Sequence, residues 1–161
     1  MKNLKMKSDE KEALMAALRY VSHKDRTVYE VSSKLDSIDC SIEVKEFVLS
    51  YLKEHGYLND RRYAEYYLVC YKDKRSLRRI TMELSNKGID DDIINEAVAS
   101  AEVDELQAVR KAMKKQLVRR GISDVNDMSP DEKNKVSNAL FRQGFRAEHI
   151  REVMSEYNDY M

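Results

Sequence analysis

The stretch Leu84-Ser85-Asn86-Lys87-Gly88-Ile89 decides the fold, because the chain repeats it as Leu140-Phe141-Arg142-Gln143-Gly144-Phe145. The two overlay without gaps, and the residues after them match as well: Ile94 with Ile150, Ala97 with Val153, Val98 with Met154. Every pair is 56 positions apart (84 to 140, 94 to 150). A weaker third copy places Leu35 with Leu84, and Val44 and Val48 with Ile94 and Val98, one residue being absent from the turn. Each copy reads as a short helix, a tight turn and a longer helix, with a further helix before it. A unit that small buries its apolar face poorly alone, so neighbouring units must stack. The expected fold is all-α: an elongated, curved array of three tandem three-helix repeats. The boundaries are an N-terminal arm over 1–10 and repeats over 11–57, 58–102 and 103–161.

Outward from that frame, apolar residues recur at helical spacing almost everywhere. Leu14, Ala17, Leu18 and Val21 mark a first helix. Thr27-Val28-Tyr29-Glu30 offers a capping box, and Val28, Val31 and Leu35 follow it. Val44, Phe47, Val48, Tyr51 and Leu52 stripe a longer helix that stops at His55-Gly56. Asn59 or Asp60 caps the next, which carries Tyr63, Ala64, Tyr67, Leu68 and Tyr71. Leu77, Ile80 and Leu84 share one face of a short basic helix ending at Lys87-Gly88. Asp90-Asp91-Asp92 puts negative charge at a helix N-terminus, where the dipole favours it. A helix from about Asp104 to Arg120 stops at Gly121, and 121–126 is the clearest loop. Ser129-Pro130-Asp131-Glu132 then signals a helix start, and Ile150, Val153, Met154 and Tyr157 stripe the last helix.

Composition agrees and narrows the function. Four Gly and one Pro in 161 residues are too few for the turns of an all-β protein. Lys plus Arg and Asp plus Glu are 29 each, so any contact with a polyanion must come from local patches. No uncharged run exceeds six residues, which leaves no room for a transmembrane helix. The basic N-terminus lacks the apolar stretch of a signal peptide. Cys40 and Cys70 lie far apart in apolar-periodic segments and read as buried thiols. A cytoplasmic monomer is the expectation.

Chemistry for catalysis is missing. His23, His55 and His149 stand at no metal-ligand spacing from one another or from a cysteine, so neither metal nor cofactor is expected. Four glycines spread singly at helix ends cannot cradle a phosphate. His55, ahead of a helix-ending glycine, reads as a partner for terminal carbonyls.

Basic charge placed on single helix faces is what stands out. On the helix before Gly121, Leu106, Val109, Met113 and Leu117 share one arc, while Arg110, Lys111, Lys114, Lys115 and Arg119 fill the opposite half. On the short helix Arg75, Arg78 and Arg79 point away from Leu77, Ile80 and Leu84, with Lys72 and Lys74 just before. A charge run is commonly a solvated face. Here acidic residues at pairing distance along the helix are not evident, and arginine suits phosphate or carboxylate recognition. Tyr63, Tyr67 and Tyr71 share the inward stripe with Ala64 and read as packing residues rather than base-stacking ones.

These residues resemble the RecX family, regulatory proteins of the RecA recombinase. Gly56-Tyr57-Leu58-Asn59-Asp60-Arg61-Arg62-Tyr63-Ala64 resembles the family's Gly-Tyr-Leu-Asp-Asp-x-Arg-Phe-Ala. Arg79-Ile80-Thr81-Met82-Glu83-Leu84-Ser85-Asn86-Lys87-Gly88-Ile89 resembles its Arg-Ile-x-x-Glu-Leu-x-x-Lys-Gly-Ile. Arg142-Gln143-Gly144-Phe145 resembles the closing Arg-Gly-Phe turn, and Arg26-Thr27 with Glu30 resembles Arg-Ser-x-x-Glu. The match runs from residue 11 to 157. Departures are Arg75-Ser76 where the family often has Lys-Gly, Ser37-Ile38-Asp39 in place of a turn glycine, and Tyr71 near a common arginine. The resemblance implies a non-enzymatic protein that binds the RecA–single-stranded DNA filament, lies in its groove and restrains its extension, ATP hydrolysis and strand exchange. The alternative from the repeat alone is a helix-turn-helix protein acting directly on DNA.

Overall fold

A computed structural model describes residues 7–157. Among them are nine α-helices, one 3-10 turn and no strand. The helices are α1 (Ser8–His23), α2 (Val28–Asp36), α3 (Ile42–Glu54), α4 (Asp60–Tyr71), α5 (Leu77–Asn86), α6 (Asp91–Ser100), α7 (Glu105–Arg120), α8 (Pro130–Arg142) and α9 (Ala147–Glu156). Of the arm expected over 1–10, residues 1–6 lie outside the described residues, and α1 begins at Ser8. The loop after Gly121 contains the turn Val125–Asp127, which buries Val125.

Short-range capping chemistry sets the helix starts. Thr27 accepts from the Glu30 amide at 3.2 Å while Glu30 accepts from the Thr27 amide at 3.0 Å, closing the expected box. Ser129 and Glu132 close a second one, with Pro130 in the first turn. Asn59, not Asp60, caps α4, by accepting from the Arg62 amide at 2.9 Å. Asp60 Oδ1 instead reaches the Val28 amide at 2.9 Å. The first repeat turns without glycine because Asp39 itself adopts φ 54, and aspartate tolerates the left-handed region better than most side chains. His55 Nδ1 lies 2.8 Å from the Tyr51 carbonyl and its ring stacks on Tyr51 at 4.0 Å, as its position before Gly56 suggests.

The chain divides into two compact units, Met1–Glu65 with Leu84–Glu96 and Tyr66–Glu83 with Ala97–Met161. The division runs through α4, α5 and α6. In the first unit α1, α2 and α3 pack on one another around Ala13, Leu14, Ala17, Val31, Leu35, Val48 and Leu52. In the second, α7, α8 and α9 enclose Val109, Met113, Leu117, Val136, Leu140, Phe145, Ile150 and Val153. Both cysteines are free thiols, half-buried rather than buried.

One contact recurs in both units. In the first, the Thr27 hydroxyl at the start of α2 donates to the Lys87 carbonyl at 2.7 Å, just before Gly88. In the second, the Ser76 hydroxyl at the start of α5 donates to the Gln143 carbonyl at 2.7 Å, just before Gly144. Thr27 and Ser76 are both 0% exposed. A Cβ on Gly88 would stand 2.3 Å from Tyr29 Cβ, and one on Gly144 would stand 2.6 Å from Ser76 Oγ. Both glycines also hold positive φ, 74 and 91. The repeated glycine is therefore demanded twice, by backbone conformation and by the close approach of a capping hydroxyl's helix.

Candidate functional site

The ten basic residues expected to form partner-binding faces all fall in the second unit. The structure brings the two groups together: Lys111 on α7 pairs at 3.1 Å with Asp73, which sits between Lys72 and Lys74. It also separates those that are free to act from those already engaged.

Arg75 does not point away from the protein. Its guanidinium donates to the Tyr67 hydroxyl at 2.9 Å, pairs with Glu83, and lies 3.9 Å from the centre of the Tyr71 ring. Arg79 Nε reaches the other oxygen of Glu83 at 3.0 Å. The expectation that acidic partners are missing is thus corrected. Glu83 stands four residues beyond Arg79 on the same helix face and serves both arginines. Burial works against the Glu83 carboxylate, but hydrogen bonds from Arg79, Tyr67 and Arg75 outweigh it and hold its pKa below the usual range. Burial, with Glu83 adding to it, pushes the Tyr67 phenol up. Burial disfavours the Arg75 cation, yet the bond to Glu83 more than compensates, so it stays protonated.

On α7, Arg110 forks onto Glu156 of α9 with contacts of 2.8 and 2.6 Å. That bidentate bond, partly opposed by desolvation, raises the Arg110 pKa. Lys72 donates to the Ala101 carbonyl at 3.1 Å, and Lys74 Nζ stands 5.9 Å from the Tyr71 ring. Of the ten, Lys74 and Arg78, with Lys114, Lys115 and Arg119 on α7, are exposed and carry no ion pair among the described residues, and the neighbouring Arg120 is like them. The buried side of α7 is wider than the expected arc, because Ala108, Ala112 and the polar Gln116 are buried too. That packing fixes the helix and leaves the cations on its remaining face.

Sequence reasoning missed the groove between α5 and α8. It is lined by Arg78, Arg79, Met82, Glu83, Phe141 and Arg142, with the Gly144 turn at one end. The overlooked signal was Phe141 itself, an aromatic residue at the position that Ser85 holds in the preceding repeat.

Among the described residues no cluster of three or more His, Cys, Asp or Glu side chains could hold a metal ion. No helix among them is long and apolar enough to cross a membrane. These features define an all-helical repeat protein that presents charged helix faces. Comparison with known proteins names the family. The model of the second three-helix domain of RecX matches residues 59–98, which span α4, α5 and most of α6. The chain is 32% identical over 117 residues to the regulatory protein RecX of Pectobacterium atrosepticum, covering 71% of this chain and 68% of that one. It is 28% identical over 148 residues to the regulatory protein RecX of Trichlorobacter lovleyi, covering 88% and 93%. The crystal structure of RecX from Lactobacillus salivarius superposes with a TM-score of 0.77 at 28% identity, over 93% of this chain and 97% of that one. The chain belongs to the RecX family of regulatory proteins.

Proposed function

We propose that this protein is a non-enzymatic regulator that binds the RecA–single-stranded DNA filament and restrains its assembly, ATPase and strand exchange. Membership of the RecX family supports the regulatory role. The observation that carries the contact is the run of cations Lys114, Lys115 and Arg119 on one exposed face of α7, none with an ion pair among the described residues. Such a face suits DNA phosphates or acidic surface on the filament, and its attraction weakens with salt. The network around Glu83 narrows the binding face: Arg75 and Arg79 are held by the fold, while Arg78 is available. The proposed repeats keep the boundaries 11–57, 58–102 and 103–161, and the proposed setting is the cytoplasm, where RecA works.

The test is RecA ATPase on single-stranded DNA, titrated with the full chain. Strong inhibition well below one protein per RecA is expected, because blocking a filament end stops every later addition. Unchanged ATPase at saturation overturns the proposal. Inhibition only near saturation, relieved by added DNA, favours direct DNA binding of the helix-turn-helix kind.

A further inference from the structure

Phe141 is 59% exposed, and across the groove Met82 is 55% exposed. An exposed phenylalanine needs an account, because burying such a ring is worth roughly 1.5–3 kcal/mol. Packing does not supply one. The repeat frame puts Phe141 where Ser85 stands, and Ser85 is exposed as well. The position is a solvent position that has been given a ring.

Its surroundings are cationic. Arg78 and Arg142, both exposed and without an ion pair among the described residues, stand on the two sides of the same groove. Phe141 and Arg78 also line the adjoining depression with Leu77, Thr81, Glu105 and Arg146, the last already paired with Glu148 at 3.4 Å. The anions nearby are already engaged. Glu83 is held by Arg75 and Arg79, and Glu105 accepts from the Leu77 amide at 3.1 Å and faces His149 at 3.4 Å. The local balance is an excess of guanidinium around an open aromatic face.

We propose that this groove takes a single-stranded nucleic acid, one base stacking on Phe141 while Arg78 and Arg142 hold flanking phosphates. An aromatic platform inside a positive groove is the arrangement that binds unpaired strands with little sequence preference. A duplex hides its base faces and cannot use the ring. A docking helix needs several apolar anchors at helical spacing, and Met82 and Phe141 alone do not provide them. The inference deepens the filament reading by naming DNA as a direct contact, and rests on it only for the biological setting.

The experiment is fluorescence anisotropy of the full chain, without RecA, against a labelled oligothymidylate of about 15 nucleotides, within the footprint of known single-strand binders. Phe141→Ser should weaken binding roughly five- to hundred-fold, the loss expected from one stacked base. Phe141→Tyr should restore it, and the melting temperatures of both should match wild type. Arg78→Ala with Arg142→Ala should flatten the salt dependence by about 0.7 for each phosphate no longer neutralised. Wild-type affinity in folded Phe141→Ser overturns the inference. So does a loss confined to a glutamate-rich control peptide, which would make the groove a protein-docking site. If wild type binds no oligothymidylate yet inhibits RecA ATPase, the inference fails and the filament reading stands.

Discussion

The Ser76 hydroxyl donates to the Gln143 carbonyl across 67 residues of chain, and a Cβ on the next residue, Gly144, would come within 2.6 Å of that hydroxyl. The same oxygen accepts from the Arg79 amide at 3.3 Å, so it caps α5 and fastens it to the α8–α9 turn at once. A glycine, common at this place in the family pattern, could do neither.

Ser76→Ala should therefore cost about 1–3 kcal/mol, since it removes a cap and leaves the half-buried Gln143 carbonyl without its donor. Thr27→Ala, at the equivalent contact with Lys87, should cost a similar amount. Urea unfolding of the full chain, read by circular dichroism, checks both. A loss below that seen for an exposed serine such as Ser85→Ala would show that neither hydroxyl stabilises the fold.

Gly88→Ala should be more damaging than Gly56→Ala. Both sites hold φ 74, but a Cβ at Gly88 meets Tyr29 Cβ at 2.3 Å, whereas one at Gly56 meets nothing within 4 Å. The positive φ is common to both and costs about 1 kcal/mol, so the difference in unfolding free energy isolates the steric part. Replacing Tyr29 by alanine would not rescue Gly88→Ala, because the Cβ that alanine keeps is itself the clash.

Arg75→Ala should destabilise the protein by about 1–2 kcal/mol, through the missing charge-assisted hydrogen bonds and the missing stack on Tyr71. Arg78→Ala should stay within about 0.5 kcal/mol of wild type, as exposed substitutions do. Thermal melts separate the two. A binding defect in Arg75→Ala thus has to be corrected for folding before it is assigned to the interface, which makes Arg78 the better probe.

Acid should loosen both units through depressed carboxyls. Burial opposes the Glu30 carboxylate, but the Thr27 amide and Lys87 prevail and lower its pKa, and Glu83 is lowered by its own partners. A group with a depressed folded pKa binds its proton less readily than in the unfolded chain. Its stabilisation is complete above the ordinary glutamate range and is lost as pH falls through the lowered value. Glu30→Gln and Glu83→Gln should each lower stability at neutral pH and reduce the loss on acidification. Unfolding curves from neutral pH down to the glutamate range test the sign.

Charge reversal of Lys114, Lys115 and Arg119 to glutamate should abolish inhibition of RecA ATPase while leaving the melting temperature near wild type, because these side chains are exposed and stand outside the core of the second unit. Full inhibition by the folded variant would exclude this face.

The helices, their starts and the glycine turns were legible because their causes are local. A capping box spans three residues, and an apolar stripe repeats within one helix, so Thr27 with Glu30 and Ser129 with Glu132 carry their own geometry in the chain. The overlay of 84–89 on 140–145 extended that reading to the repeat. Tertiary structure alone decided which cations are free. Arg75 and Arg78 look alike in sequence, yet the chain turn before α5 lays Arg75 against Tyr67, Tyr71 and Glu83 and leaves Arg78 in solvent. Arg110 was claimed by Glu156, 46 residues away. Helical period says where a side chain points from its own axis, not what another helix brings to meet it. The pairing of a charge is a long-range fact, and so is the groove that sets Phe141 beside Arg78.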